Sequence, residues 1–418
     1  MKRSRLVALF GLLLAGLWAA GPVTAGDPPP PAVAKASSGV VPPTAPPAAE
    51  APPQLEAKAW ALIDARSGDV LASHAASKRL PIASTTKMMT AYVALQELPL
   101  GKIVTVAPYE AEFGESLLEV PAGERISVRD LLYGLILRSG NDSAHDLALA
   151  AAGSEDAFVR QMNQRAAALG LSNTNYANPI GLDEAGNYSS ALDLTTLARR
   201  LLRDPAFARI AASRSALLRS LRPPREIETL NDFLLAEPWA TGVKTGHTFG
   251  ADYVLVGAGR RKGAELISAV LGTWTESARD LETERLLEYG FSQYRKRTPI
   301  RVTQVLAAPD VRYTGDELPL RAEGTVAVGL RRGQRMTVRV RAPSEVEGPI
   351  YRGARLGQAV VLVDGRRAAV TPLIASRAVA KASTLDKVRS FVVDNALWFV
   401  LALFGILVAV VLLGRRRR

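Results

Sequence analysis

Three short motifs stand in fixed order along the chain, and a fold that uses them must bring widely separated positions into one cleft. They are Ser84-Thr85-Thr86-Lys87, Ser139-Gly140-Asn141 and Lys244-Thr245-Gly246. Ser84 follows Pro81-Ile82-Ala83 and opens a run of good helix formers, Thr86 to Gln96, with apolar residues at helical spacing. A serine at a helix N-terminus meets the positive end of the dipole and free backbone N–H groups, which favour developing negative charge. Lys87, three residues on, falls on the same helix face and reaches the hydroxyl. This spacing gives a nucleophile with its base beside it.

Each motif alone says little. A Ser-x-x-Lys arises often by composition. Ser-Gly-Asn reads by default as a turn, and Lys-Thr-Gly as a strand end. In order, with the serine at a helix start, they read together as one acyl-transfer site.

Composition removes the competing chemistries. The chain has 418 residues and no cysteine, so a cysteine nucleophile, a disulfide framework, cysteine-ligated zinc and a lipid-modified N-terminal cysteine are all excluded. Its three histidines, His74, His145 and His247, stand at no metal-site spacing. Nothing in the sequence calls for a metal or a cofactor. The net charge of +12 resembles a nucleic-acid signal until it is located. Lys2, Arg3, Arg5 and Arg415 to Arg418 carry seven of these charges, leaving a mildly basic surface and no nucleic-acid module.

The organisation follows from texture. Residues 1–25 read as a secretory signal, with a basic start, an apolar run from Leu6 to Ala20 and small residues at Val23-Thr24-Ala25; an uncleaved anchor is the alternative. Residues 26–55 are a Pro/Ala-rich disordered linker that cannot fold on a core. Residues 56–292 form the expected catalytic domain. Helices are expected near 85–97, 128–138, 155–169, 192–202 and 277–290. Strands are expected at Trp60 to Asp64, Thr241 to Lys244, Tyr253 to Gly257 and Glu265 to Leu271. Strands at both ends with helices between imply an α+β fold whose sheet unites the chain ends. Residues 297–376 change to short alternating runs punctuated by Gly, Pro and Asp, a small all-β domain. Residues 380–395 form a juxtamembrane segment with Leu385, Val388 and Val392 on one helix face. Ala396 to Gly414 is uncharged and mostly apolar, about 28 Å long as a helix and enough to span a bilayer. The basic tail, 415–418, then lies in the cytoplasm and the catalytic domain outside it.

Around the motifs the chain resembles the low-molecular-mass penicillin-binding proteins of the D-alanyl-D-alanine carboxypeptidase type, in the β-lactamase-like superfamily. The resemblance covers roughly residues 56 to 376. It rests on Ala61-Leu-Ile-Asp-Ala-Arg-Ser-Gly68, Pro81-Ile-Ala-Ser-Thr-Thr-Lys-Met-Met-Thr90, Ser127-Val-Arg-Asp-Leu-Leu-Tyr-Gly134 and Ser139-Gly-Asn-Asp142. Phe158-Val-Arg-Gln-Met-Asn163, Asn173-Thr-Asn-Tyr-Ala-Asn-Pro-Ile-Gly-Leu182 and Gly242-Val-Lys-Thr-Gly-His-Thr248 extend it. In the β domain, Pro349-Ile-Tyr-Arg-Gly-Ala-Arg-Leu-Gly357 continues the match. Better-known members tend to end in an amphipathic surface helix, so the apolar C-terminal segment departs from them.

The resemblance implies a β-lactamase/transpeptidase-like fold and removal of the terminal D-Ala from peptidoglycan stem pentapeptides, with β-lactams as acylating inhibitors. It implies Ser84 as nucleophile, Lys87 as general base, Ser139 as proton relay, Asn141 as an orienting group and Lys244 as an electrostatic one. The backbone N–H groups of Ser84 and His247 are the expected oxyanion hole. Lys244, Thr245, Gly246, His247 and Arg279 are expected to bind substrate. Arg279 comes from the resemblance of Gly272-Thr-Trp-Thr-Glu-Ser-Ala-Arg279, and its alternative is a surface helix arginine. Asp193 and the His247 side chain receive no role, and His145 is expected as a packed helix residue.

Three other readings share the motifs. A β-lactamase needs a deacylating group, often a loop glutamate, and Glu112, Glu115 and Glu119 between the first two motifs offer no clear counterpart. A D,D-endopeptidase shares the fold, though the comparable ones lack the C-terminal domain. A non-catalytic wall-binding scaffold has no physical need for all six motif side chains.

Overall fold

The computed structural model describes residues 39–40 and 51–415, with side chains described through residue 409. The leader read over residues 1–25, most of the linker read over 26–55, and the last three arginines lie outside the described residues.

A five-stranded antiparallel sheet organises the larger unit. Its strands are β1 (Ala59–Asp64), β2 (Val70–His74), β3 (Ala240–Thr248), β4 (Asp252–Arg261) and β5 (Ala264–Thr273), in the order β2-β1-β5-β4-β3. The N-terminal strand β1 lies beside β5, Trp60 opposite Val270 and Ile63 opposite Ile267, so the sheet joins the two ends of the unit. All six residues of β1 are buried, as expected of a strand covered on both faces.

Strand alternation divides the core in two. Leu62, Leu255, Leu266 and Val270 point to one face, where Leu286, Leu287 and Phe291 of helix α6 (Glu276–Ser292) cover them. Ala61, Ile63, Val254, Val256, Ile267 and Ala269 point to the other, under a helical layer. That layer contains α1 (Lys87–Glu97), α2 (Val128–Leu137), α3 (Asn141–Ala152), α4 (Glu155–Ala168) and α5 (Ala191–Leu201). Ser127, Ser154, Ser190 and Thr275 cap α2, α4, α5 and α6 by accepting a bond from a backbone N–H of the first turn.

Two local expectations need correction. Ser84 does not open the α-helix: it sits in a 3-10 turn, Ala83–Thr86, and α1 starts at Lys87. The Ser139-Gly140-Asn141 segment is a turn only in part, because Asn141 begins α3, a helix the alanine-rich stretch after it sustains. Strand β2 and the short helices Pro205–Ala211 and Asp232–Ala236 also went unread in the sequence.

Strand β6 (Tyr294–Ile300) leaves α6 and pairs with β7 (Val326–Arg331) of a second, β-rich unit. There β8 (Met336–Arg341), β9 (Arg355–Val363) and β10 (Arg366–Ala375) form an antiparallel sheet over a core that includes Ile300, Leu320, Val361 and Leu373. The units touch through the Gly329 N–H on Gly263 O, 2.7 Å, and through Arg331 on Asp69, 2.8 Å. Helix α7 (Thr384–Asp394) presents Leu385, Val388 and Val392 to solvent and is followed by α8 (Ala396–Arg415). Among the described residues no single helix is long and apolar enough to cross a membrane. Thr384–Asp394 and Ala396–Ala409 pass that test together, bent by 66°.

Asp64 closes the join between β1 and the second unit. Its carboxylate accepts from the Arg66 and Ser67 N–H groups and from the buried Tyr294 hydroxyl at 2.5 Å. Removing that hydroxyl leaves a buried carboxylate oxygen short of a partner. Tyr294→Phe is expected to lower unfolding free energy by about 1–3 kcal/mol, read from the urea midpoint. An unchanged midpoint would show that the bond carries no weight.

Candidate active site

The three motifs converge between the helical layer and β3, the edge strand of the sheet. The Ser84 turn delivers the hydroxyl, α1 begins with Lys87, the α2–α3 junction supplies Asn141 with Ser139 two residues before it, and β3 carries Lys244 to His247. Ser139 holds a left-handed backbone, φ +57°, and is buried. That conformation turns the chain sharply between two helices, so that Asn141 projects from the first position of α3.

Lys87 is fully buried, and its ammonium touches three oxygens. They are Ser84 Oγ at 2.9 Å, Asn141 Oδ1 at 2.6 Å and the Ile180 carbonyl at 2.6 Å. Burial and the neighbouring Lys244 charge push its pKa well below the ordinary lysine value, while the charges of Glu115 and Asp142 act the other way. Lys244 is buried as well and donates to its neighbour's carbonyl, Thr245 O, at 2.8 Å. Its pKa falls to about 7, through burial and then the Arg279 charge. Two neighbouring lysines whose charged forms are both disfavoured are what a proton-transfer site requires.

Two glycines make room for the Ser84 turn. Gly181 adopts φ +95°, and a Cβ there would lie 2.1 Å from Ala83 O and 3.0 Å from Ser84 N. A Cβ on Gly246 would also lie 3.0 Å from Ser84 N, so β3 runs against the nucleophile's own amide. Such close approach is open only to glycine.

The remaining expected residues are spread around this centre. Arg279 is no surface arginine: it is 2 % exposed and pairs with Asp280 at 2.8 Å and Glu276 at 3.0 Å. His247 is exposed and stacks on Tyr253, its partner across the strands, with ring centroids 4.1 Å apart. Thr245 is half-buried between Lys244 and Gly246. Asp193 caps the Asn173-Thr174 segment through the Asn173 N–H and the Thr174 hydroxyl, both at 2.8 Å. His145 meets Glu155 at 2.6 Å and packs its ring against Tyr109, with centroids 5.3 Å apart.

Sequence reasoning missed the backbone carbonyl of Ile180, which no motif marks, and Glu115. The Asn141 amide nitrogen donates to Glu115 Oε2 at 2.7 Å. Asp183 is a third omission: it accepts from the Thr248 hydroxyl at 2.7 Å and the Gly250 N–H at 2.8 Å, fastening the 178–187 loop to the end of β3.

A serine bonded to a buried lysine, an asparagine on that lysine, and a second lysine on an edge strand define the penicillin-recognising class of serine enzymes. The chain belongs to the D-alanyl-D-alanine carboxypeptidase family, whose model matches residues 46–275. It is 31% identical to D-alanyl-D-alanine carboxypeptidase DacF of Bacillus subtilis over 78% of this chain and 87% of that one. It is 33% identical to DacA of Escherichia coli over 81% and 88%. Penicillin-binding protein 5 of Haemophilus influenzae shares the fold at a TM-score of 0.55 and 27% identity, over 79% of this chain and all of that one.

The crowding at Gly181 is directly testable. Gly181→Ala is expected to slow acylation by a labelled penicillin about a hundredfold, because a misplaced nucleophile loses its attack geometry. Wild-type rates in that variant would show that the Ser84 turn tolerates displacement.

Proposed function

We infer that the protein is a serine-type D-alanyl-D-alanine carboxypeptidase that removes the terminal D-Ala from peptidoglycan stem pentapeptides and is acylated by penicillins. The observation that carries the mechanism is the set of three oxygens around Lys87 Nζ. A neutral lysine keeps two protons. It donates them to Asn141 Oδ1 and Ile180 O, which leaves its lone pair facing the Ser84 hydroxyl. Lys87 takes the hydroxyl proton as Ser84 Oγ bonds to the carbonyl carbon of the penultimate D-Ala. The tetrahedral oxyanion sits at the Ser84 and His247 N–H groups. Ser139 relays a proton to the leaving nitrogen, the C–N bond breaks and free D-Ala departs. Water then hydrolyses the ester and restores Ser84. Lys244, Thr245 and Gly246 on β3 meet the substrate carboxylate, and Arg279 behind Lys244 adds positive charge to that end of the site.

Glu115 bears on the β-lactamase alternative. Its two oxygens already accept from Tyr109, Asn141 and the Glu112 N–H. A carboxylate so occupied is a poor activator of a deacylating water.

The C-terminal segment supports an envelope location with the catalytic unit outside the cytoplasm. We read Ala396 to Gly414 as the anchor, entered through α7. Removing residues 381–418 is expected to move the protein from the membrane pellet to the soluble fraction; retention in the pellet would place the anchor elsewhere.

Mass spectrometry of pentapeptide muropeptides incubated with the full-length protein tests the activity. The expected outcome is loss of one alanine, absent with Ser84→Ala. Splitting of cross-linked dimers would make the protein an endopeptidase, and no change at all would leave the scaffold reading. The pH profile tests the residue roles. Activity should rise with pH as Lys87 loses its proton. It should fall above about pH 7 as Lys244, whose pKa is lowered to about 7, loses the charge that holds the carboxylate. A flat profile from pH 5 to 10 would remove both lysines from these roles.

A further inference from the structure

The segment between Val106 and Gly123 has almost no regular structure, yet it is fastened at every turn to α3 and its surroundings. The Ala107 N–H donates to Asp146 at 2.8 Å, and the Asn141 N–H donates to Ser116 O at 2.8 Å. Asp142 accepts from the Leu118 and Glu119 N–H groups at 2.8 to 3.0 Å. Arg225 donates to the carbonyls of Leu118 and Glu119 from the far side. Leu118, buried, seats the segment on the core. One side chain of this strap reaches the reacting centre, and it is Glu115.

Glu115 receives the Asn141 amide at 2.7 Å, the Tyr109 hydroxyl at 2.6 Å and the Glu112 N–H at 3.1 Å. Asn141 presents its other end, Oδ1, to Lys87 at 2.6 Å. An ionised carboxylate only accepts hydrogen bonds, so it dictates which end of the amide faces it. With the NH2 committed to Glu115, the oxygen must face Lys87. We propose that Glu115 is a positioning residue for the Lys87–Ser84 pair: it locks the Asn141 amide and sets a fixed negative charge behind it. The proposal rests on Lys87 acting as the base.

Charge supports the same conclusion. Burial alone would raise the Glu115 carboxyl, but the bonds from Tyr109, Asn141 and the Glu112 N–H, together with the Lys87 charge, hold it below the ordinary value. A carboxyl held below its ordinary value is ionised at neutral pH. The charged groups acting on Lys87 are Lys244 from β3, Glu115 from the strap and Asp142 from α3. Those around Tyr109, the strap's second contact with Glu115, are Glu155, Asp142 and His145, whose ring lies 5.3 Å from that of Tyr109. Glu115 thus offsets part of what burial and Lys244 do, and keeps Lys87 from becoming too weak a base.

The test is the rate of acylation by a fluorescent penicillin between pH 5 and 10, for the full-length protein, Glu115→Gln and Glu115→Ala. Thermal melting of each confirms the fold. Gln accepts from Asn141 as Glu does but carries no charge. Its acid limb should move down by about half a pH unit or more, because a lysine without its carboxylate neighbour loses its proton sooner. The limiting rate should fall only severalfold, because the Asn141 amide stays locked while Lys87 becomes a weaker base. Ala removes the lock too, and its plateau should drop about tenfold or more. An acid limb unmoved in Glu115→Gln overturns the proposal, and so does a folded Glu115→Ala with the wild-type plateau. A wild-type protein with no acid limb at all points instead to failure of the Lys87 reading on which the proposal rests.

Discussion

The structure depends on one buried cation. Taking an ammonium out of water costs several kcal/mol even after the protein relaxes. The fold offsets this at Lys87 by supplying three oxygens from three separate parts of the chain: the Ser84 turn, the start of α3 and the loop at Ile180. Each of those parts must be held to a fraction of an ångström for the bonds to form. Much of the surrounding architecture serves that end, including the left-handed Ser139, the α3 start at Asn141 and the Thr90 hydroxyl donating to Pro179 O beside Ile180. The compensation is partial, and the remainder appears as a lysine that gives up its proton easily. In the proposed mechanism the fold's incomplete solvation of Lys87 is the source of its basicity.

The sheet contributes the second half of this balance. Lys244 lies on the edge strand, where one side of the backbone has no neighbouring strand and is free to meet a substrate chain. A peptide that ends in a carboxylate can align along such an edge and reach the ammonium with its terminus. Arg279 acts on Lys244 through its charge and is itself paired with Asp280 and Glu276, so three unpaired cations are not stacked together. Both lysines are lowered, and each by more than burial alone: Lys87 by Lys244, Lys244 by Arg279. The three charges are coupled in a row, Lys87 to Lys244 to Arg279.

Much of this was legible because side-chain chemistry leaves fixed spacings. Ser84 and Lys87 are three residues apart, and any helical turn, 3-10 or α, puts them together; the misreading of the turn type did no harm to the pairing. The apolar runs of β4 and β5 marked strands near residues 253–257 and 265–271 in the sequence, and the structure buries them on both faces of the sheet. What could not be read has no local period. The Ile180 carbonyl is a backbone atom that any residue supplies. The Ser139-Gly140-Asn141 segment combines turn residues with a helix start, and its composition favours the turn. Arg279 was open between surface and site because helix position gives only a face, and α6 packs that face onto the sheet.

Glu115 is the instructive omission. In sequence it is one of four glutamates between 110 and 119, in a run with no periodicity, and by composition a solvated loop carboxylate. Only the strap's anchors, Asp142 and Asp146 on α3 and Arg225 across it, place it against Asn141. That placement also separates two chemistries that share every motif. A glutamate meant to activate water needs an oxygen free to take a proton and a carboxyl of raised pKa. Here the oxygens are occupied and the carboxyl is held low. A carboxylate of this kind is suited to orient an amide and to stabilise a neighbouring ammonium.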